Sequence, residues 1–160
     1  MSTLAAARPE PGAPRPYAFP ELVRLGVAGG EVVAVHLPGQ PLAAARLLLD
    51  AGASREPRGC DGLAGVLLKA VEEGTATRDA TAYAVALESL GAQLTSRVDW
   101  DSVEVGVSAP AERLLKAVGL LSEAVRTPRL AEADVARVRD DEAAAQRLEW
   151  ASPGPRADAA

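Results

Sequence analysis

The sequence predicts an α+β fold, in which a mostly antiparallel sheet is covered by helices. Apolar stretches with strand character come first, and helical stretches follow in pairs around one further strand region. Gly29-Gly30 joins the first two strand stretches, and such a pair suits a hairpin turn. Strands and helices in separate runs, with neighbouring strands linked by hairpins, favour this architecture over a chain of parallel βαβ units.

The sequence of the N-terminal part predicts a disordered arm followed by three strands. Residues 1–20 hold five prolines and little to bury, which predicts a disordered arm and places the folded domain at residues 21–160. Strands are predicted at residues 21–25, 31–37 and 42–49. The third is largely apolar, which predicts burial on both faces or nearly so.

A central helix is predicted over residues 61–75. Asp61 can cap its first turn by accepting a backbone N–H, and Gly74 can end it in a left-handed conformation. Helically spaced apolar residues predict a stripe on the core, formed by Leu63, Val66, Leu67, Ala70 and Val71. The opposite side carries Gly65, Leu68, Lys69 and Glu72.

One strand region and three more helices complete the prediction. The second helix extends from a Thr77 cap to about Leu90, and Gly91 stops it. Residues 93–108 alternate as a half-buried strand, with Trp100 expected in core or strand-edge packing. A third helix begins at Pro110 and a fourth covers about residues 132–149. The predicted buried faces carry Tyr83, Leu87 and Leu90 in the second helix, and Leu114, Val118, Leu121 and Val125 in the third.

Composition and charge exclude several classes of function. The net charge of −5, without basic residues interleaved with aromatics, argues against nucleic acid as a partner. No apolar run approaches the ~18 residues of a membrane span, and no signal peptide is recognisable. The single cysteine, Cys60, cannot form an internal disulfide and is interpreted as a buried or half-buried thiol. We therefore expect a cytoplasmic protein without a membrane partner. No glycine-rich phosphate loop is present, and no cofactor is predicted.

Six short segments occur in an order and at separations that carry a family resemblance. They are LLLDAGASREP (47–57), GLA (62–64), GT (74–75), LESLGA (87–92), DWDS (99–102) and TPRL…VARVRDD (127–141). From about residue 21 onward the chain resembles the N-terminal part of a subunit of the insulinase, pitrilysin and mitochondrial-processing-peptidase family. These inverzincin metallopeptidases carry the inverted H-x-x-E-H motif.

The resemblance implies where the functional residues of the family would lie. In active members H-x-x-E-H directly follows G-L-A; its two histidines bind zinc and its glutamate activates water. Here Gly65, Leu68 and Lys69 stand at those positions. The third ligand, a glutamate of the last helix, falls on Ala145, and a supporting glutamate falls on Val138. None of these side chains can bind zinc as a neutral imidazole or a carboxylate, and Lys69 would put a cation where the metal belongs.

A different alignment does not restore the motif. The chain has one histidine, His36, which lies elsewhere and is interpreted as structural or solvated. The nearest carboxylates, Glu142 and Glu149, are about one helical turn from Ala145. We therefore expect no catalytic residue, no bound metal and no cofactor.

Three functional hypotheses remain. The first is a non-catalytic subunit that pairs with a zinc-bearing homologue and helps to hold a peptide substrate in a shared chamber. Leu68, Lys69 and Glu72 would then line a chamber wall, although a solvated helix face explains them equally well. The second is a stand-alone protein-interaction module with no proteolytic role. The third is a peptidase whose metal site is built from carboxylates alone. The family repeat continues beyond the fourth helix, so we expect either a longer protein or a missing part supplied from elsewhere.

Overall fold

The structure, a computed structural model, describes residues 12–13 and 16–151. The chain divides into two compact units, residues 1–39 and residues 40–160. Most of the predicted arm, residues 1–20, lies outside the described residues. No described helix has the length and apolar character needed to cross a membrane.

The first unit contains an antiparallel hairpin of β1 (Leu22–Val27) and β2 (Gly30–Val35). Val27 lies opposite Gly30, and the intervening Gly29 has φ 83°, which a glycine adopts without strain. The two predicted strands and their glycine turn are therefore confirmed, with ends shifted by one or two residues.

The second unit contains the remaining helices and strands. In chain order they are β3 (Leu42–Leu49), α1 (Leu63–Glu72), β4 (Gly74–Thr75), β5 (Arg78–Asp79), α2 (Ala80–Ser89), β6 (Gln93–Val98), β7 (Val103–Pro110), α3 (Leu114–Arg126) and α4 (Glu132–Ala151). All four predicted helices are present, and the α+β class is confirmed. The short pair β4 and β5 was not predicted.

The main sheet of this unit has the order β3-β7-β6, and both pairings are antiparallel. The predicted strand at residues 93–108 is thus two strands joined by a turn. Alternate residues of β7 face the helices and are buried, as the period of two predicted; they are Val103, Val105, Val107 and Ala109. Trp100 lies in the turn and is 71% exposed, so its predicted packing is wrong.

The core lies between this sheet and the helices, and it is largely aliphatic. Tyr83 and Leu87 of α2 are buried in it, and Leu90 packs against it, so the predicted face of α2 is confirmed. The predicted stripe of α3 also faces the core: Leu121 is buried, and Leu114, Val118 and Val125 pack around it.

Strand β3 is less buried than its sequence predicted. Leu42 is 66% exposed and Leu48 is 64% exposed, so the predicted burial on both faces is wrong. The reason is that Leu42 and Leu48 lie on the sheet face away from the helices: they pair with Pro110 and Glu104 of β7, not with its buried residues. An apolar sequence does not by itself show that both faces of a strand are covered.

The predicted N-terminal caps of α1 and α2 also need correction. The Glu56 carboxylate, not Asp61, accepts the backbone N–H groups of Gly62 and Ala64, each at 2.8 Å. Gly74 directly follows the C-cap residue Glu73 and has a positive φ of 122°, so the predicted glycine end of α1 is confirmed; Gly74 also begins β4. Helix α2 is capped by Asp79, whose Oδ1 accepts the N–H of Ala82 at 2.8 Å. The predicted Thr77 cap is therefore wrong, and so is the buried Cys60, which is exposed.

Candidate functional site

The groove between α1 and α4 brings together residues that the sequence separates widely. Gly65 of α1 and Ala145 of α4 line the same cavity, which measures about 310 Å³. Its wall is completed by Asp61, Gly62, Val66, Arg139, Glu142, Ala143, Gln146 and Glu149. Two positions that the resemblance assigns to metal ligands therefore face one space.

The groove continues toward the C-terminal end of α1. There Lys69 lines a smaller cavity of about 140 Å³ together with Val138 of α4. Val138 is 4% exposed, so an apolar side chain is buried where the resemblance places a supporting glutamate. Glu142 contributes to the walls of both cavities. Gly65, Lys69, Val138 and Ala145 thus lie along one groove.

Leu68 lies on a different side of α1. It is only 6% exposed and belongs to the core with Val103 and Val105 of β7. The three residues also line an apolar cavity of about 230 Å³ on the sheet side of the helix. The prediction that Leu68 lies on the outward side, as part of a chamber wall, is therefore wrong.

The same packing explains why the predicted apolar stripe of α1 is only partly buried. Ala70 is 1% exposed, whereas Leu63 is 46% and Leu67 is 49% exposed. Helix α1 contacts both β6 and α4, so residues on different sides of it are covered. A helix covered on two sides has no single buried stripe for its periodicity to reveal.

Charged contacts join α1 to both neighbours. Glu73 forms a 2.5 Å ion pair with Arg137 of α4, and this hydrogen bond is the main cause that raises the pKa of the guanidinium. Arg137 also reaches Asp141 at 3.4 Å. On the sheet side, Glu72 accepts a hydrogen bond from the Ser96 hydroxyl of β6. These contacts fix the C-terminal end of α1 against α4 on one side and against β6 on the other.

The side chains in the groove do not fit a zinc ion. Gly65, Val138 and Ala145 have no metal-binding atoms, and an ammonium at Lys69 would repel a cation. Across the described part of the chain, no group of three His, Cys, Asp or Glu side chains is placed to hold a metal ion. Within the same residues, Lys69 and Glu142 form no ion pair within 4.0 Å.

A second polar cluster was not predicted from the sequence. Glu123 of α3 accepts hydrogen bonds from the hydroxyls of Thr75 and Thr77 and from the Arg78 guanidinium. The two hydroxyls, with the help of the Arg78 charge, lower the pKa of Glu123. Burial, together with the charges of Glu123 and Glu72, raises the pKa of the adjacent Tyr83 to about 12. The family-like pair Gly74-Thr75 was the one sequence signal at this place.

Comparison with known proteins places these features in a family. The insulinase family (peptidase family M16) matches residues 31–153. No curated protein matches the chain. The fold is similar to that of a peptidase M16 inactive domain from Pseudomonas fluorescens, with a TM-score of 0.79, 24% identity, and coverage of 86% of this chain and 34% of that one.

A protease from Helicobacter pylori is also similar, with a TM-score of 0.70 and 20% identity over 82% of this chain and 32% of that one. The chain therefore spans about a third of the length of these solved structures. At such identities the structural likeness shows a shared fold. Because the family match covers more than half of the chain, the protein belongs to the insulinase family, peptidase family M16.

Proposed function

We propose that this chain is a non-catalytic homologue of the insulinase-type zinc metallopeptidases. In this proposal it is a structural or substrate-holding subunit that pairs with a zinc-bearing homologue. One observation supports it: Gly65, Lys69 and Ala145, the positions that the resemblance assigns to the zinc ligands, line the α1–α4 groove, and their side chains are not those of a zinc site. A solved structure of similar fold is named an inactive domain, which is consistent with this reading.

The burial of Leu68 supports the proposal independently of the metal ligands. A general base must reach a water molecule at the reaction centre, so it has to face the site. The residue at the position of the base instead packs in the aliphatic core, at 6% exposure. This position therefore contributes to stability, and hydrolysis in the complex would depend on the partner.

The sheet offers a way for such a subunit to hold a peptide. Among the described strands, β6 pairs with β7 on one side and leaves its other edge free. Helix α1 lies against β6, and Glu72 is bonded to Ser96 of that strand. An extended peptide can add to a free edge through main-chain hydrogen bonds. We infer that the substrate lies along β6, beside α1.

The proposal is tested by co-expressing the chain with a homologue that carries H-x-x-E-H. We expect the two to co-elute in size-exclusion chromatography and the peptidase activity to rise on association. Substituting the glutamate of the partner's motif should abolish that activity, because this chain supplies no base. As the matched control, the substitution Lys69→Ala in this chain should leave the turnover rate of the complex largely unchanged.

Each outcome has a defined meaning. Stoichiometric zinc and peptidase activity in this chain alone would overturn its assignment as non-catalytic. If the chains neither associate nor alter each other's activity, the pairing fails and a stand-alone interaction module becomes the better description. We also propose a cytoplasmic location, which the net charge of −5 and the single cysteine support.

A further inference from the structure

The C-terminal end of α1 and the N-terminal end of α4 meet in a small region of paired backbone. Strand β4 begins directly after the C-cap residue of α1, and the segment that precedes α4 pairs with it. The Arg129 N–H donates to the Gly74 carbonyl at 3.1 Å, and the Ala76 N–H donates to the Thr127 carbonyl at 2.8 Å. The resulting junction between the two helices comprises residues 74–79 and 127–129.

Glu123 of α3 binds this junction through its carboxylate. It accepts hydrogen bonds from the Thr75 hydroxyl at 2.6 Å, from Thr77 and from Arg78. Thr75 is 1% exposed, and its hydroxyl oxygen also accepts the Arg78 N–H at 3.1 Å. Thr75 is likewise the residue of β4 that lies opposite Pro128. Hydrogen bonds to a charged group are stronger than neutral ones, so Glu123 holds both segments of the junction together.

The residue that follows the junction, Leu130, has a strained backbone. Its φ of 45° lies in the left-handed region, which residues other than glycine rarely adopt. Hydrogen bonds fix the chain on both sides of it: Arg129 donates to Gly74, and the Ala131 carbonyl accepts the N–H of Val135 in the first turn of α4. Strain of this kind persists only where the surrounding contacts maintain it. Release of the junction would let Leu130 relax, and the direction of α4 would then change.

We propose that Glu123 positions α4 against α1 through this junction and thereby keeps the groove between the two helices closed. When the carboxylate contact is lost, the junction opens and α4 moves away from α1, whereas the sheet and the core beneath α2 and α3 stay folded. Glu123 is thus a positioning residue that acts on the groove from a neighbouring helix. The proposal goes beyond the proposed function, because it requires no partner, metal or substrate.

The contacts between α1 and α4 nearest the junction depend on its geometry. Glu73, the residue before Gly74, pairs with Arg137 at 2.5 Å, and Val138 beside it is 4% exposed. Both α4 residues lie in its first two turns, so their place against α1 follows from the direction in which α4 leaves the junction. An ion pair exposed to solvent contributes little free energy by itself. We therefore expect the junction, rather than this ion pair, to fix α4.

Thiol labelling measures the opening of the groove. In a Cys60→Ser background, Gly65→Cys places a thiol in the groove, where an added Cβ meets no heavy atom of the described residues within 4 Å. Thr75→Val removes the buried hydroxyl at nearly constant size, and it should raise the rate of reaction of this thiol with a bulky maleimide by about tenfold or more. Thr75→Ser keeps the hydroxyl and should leave the rate unchanged. Ala144→Cys, exposed on α4, is the matched control and should react at the same rate in every background.

Glu123→Ala should have the same effect on the groove thiol as Thr75→Val. The double variant should react no faster than the faster single variant, because both substitutions remove one shared contact. Thermal unfolding checks that each variant folds, and Thr75→Val alone carries the test where Glu123→Ala does not. Folded Thr75→Val with an unchanged rate at the groove thiol, or with an equal rise at position 144, would overturn the proposal.

Amide hydrogen exchange separates local opening from a general loss of stability. In Glu123→Ala or Thr75→Val, exchange should accelerate by about tenfold or more in the junction and the first turn of α4, and much less in β7. The control is Val107→Ala, which leaves a cavity at a core residue of β7 that is 1% exposed, and its effect should not be concentrated in the junction. Uniform acceleration across the chain in the junction variants would refute a positioning role for Glu123.

Discussion

Glu123 accepts three hydrogen bonds from the turn that follows α1. Its carboxylate bonds to Thr75 at 2.6 Å and also to Thr77 and Arg78. These contacts hold the short β4–β5 pair against α3, and Thr75 is 1% exposed. No periodicity predicts the cluster, because Glu123 lies 48 residues from Thr75. Contacts of this kind between individual side chains can be recognised only once the positions of the helices and strands in the fold are known.

The cluster gives stability a defined dependence on pH. The hydroxyls of Thr75 and Thr77, and then Arg78, lower the pKa of Glu123 in the folded chain. The resulting stabilisation is present above the ordinary carboxyl pKa, near 4.5, and is lost as pH falls through the lowered folded value. Glu123→Gln should lower the melting temperature at neutral pH and flatten its fall between about pH 5 and pH 2.

Thermal unfolding across that pH range measures the effect. Glu88→Gln is the matched control, because Glu88 is exposed and forms no salt bridge within the described residues. Its curve should follow that of the wild type. If Glu123→Gln also followed the wild type, the Glu123 cluster would not contribute to acid sensitivity.

At the scale of elements, the first turn of α1 shows how distant contacts override a local signal. Asp61 stands where a capping residue is preferred, yet Glu56 reaches the N–H groups of Gly62 and Ala64 from the preceding loop. That loop is held by the β6–β7 turn: the N–H of Ala53 bonds to the Asp99 carbonyl at 3.0 Å. A residue next to a helix in sequence can be identified as its cap only when no residue from another loop binds the same N–H groups.

A pair of alanine substitutions separates the two candidate caps. Glu56→Ala should destabilise the chain by about 1 kcal/mol, because two N–H groups of the first turn lose their partner. Asp61→Ala should change stability by less than about 0.5 kcal/mol, as exposed surface substitutions usually do. Urea unfolding with a common slope measures both. A larger loss for Asp61→Ala would show that the predicted cap operates in solution.

The positions of the helices and strands could be predicted from the sequence, whereas the burial of their individual faces could not. Apolar residues at helical spacing located α1, α2 and α3, and alternation located the buried side of β7. The burial of α1 and β3 was misjudged for one shared reason. Leu68 is buried because α1 is covered on two sides, and Leu48 is exposed because it lies on the sheet face away from the helices. Both depend on neighbours distant in sequence.

At the scale of the whole second unit, α1 and α4 build one groove from residues about 80 positions apart. The family resemblance predicted Gly65, Lys69 and Ala145 as equivalent positions, and the structure places all three along that groove. The groove also has room at Gly65. A Cβ added at Gly65 would meet no heavy atom of the described residues within 4 Å. A larger side chain can therefore be introduced at position 65.

The combined substitutions Gly65→His, Lys69→His and Ala145→Glu should create a zinc site across this groove. Two histidines four residues apart share a helix face, and the new glutamate would complete the ligand set. Zinc at a hundred times its dissociation constant should then stabilise the folded chain by about 2.7 kcal/mol, measured as a rise in melting temperature. The control replaces Ala145→Glu with Ala144→Glu, the neighbouring residue, whose side chain points about 100° away around α4. Equal zinc stabilisation of both variants, or of neither, would show that α1 and α4 do not converge as the structure describes.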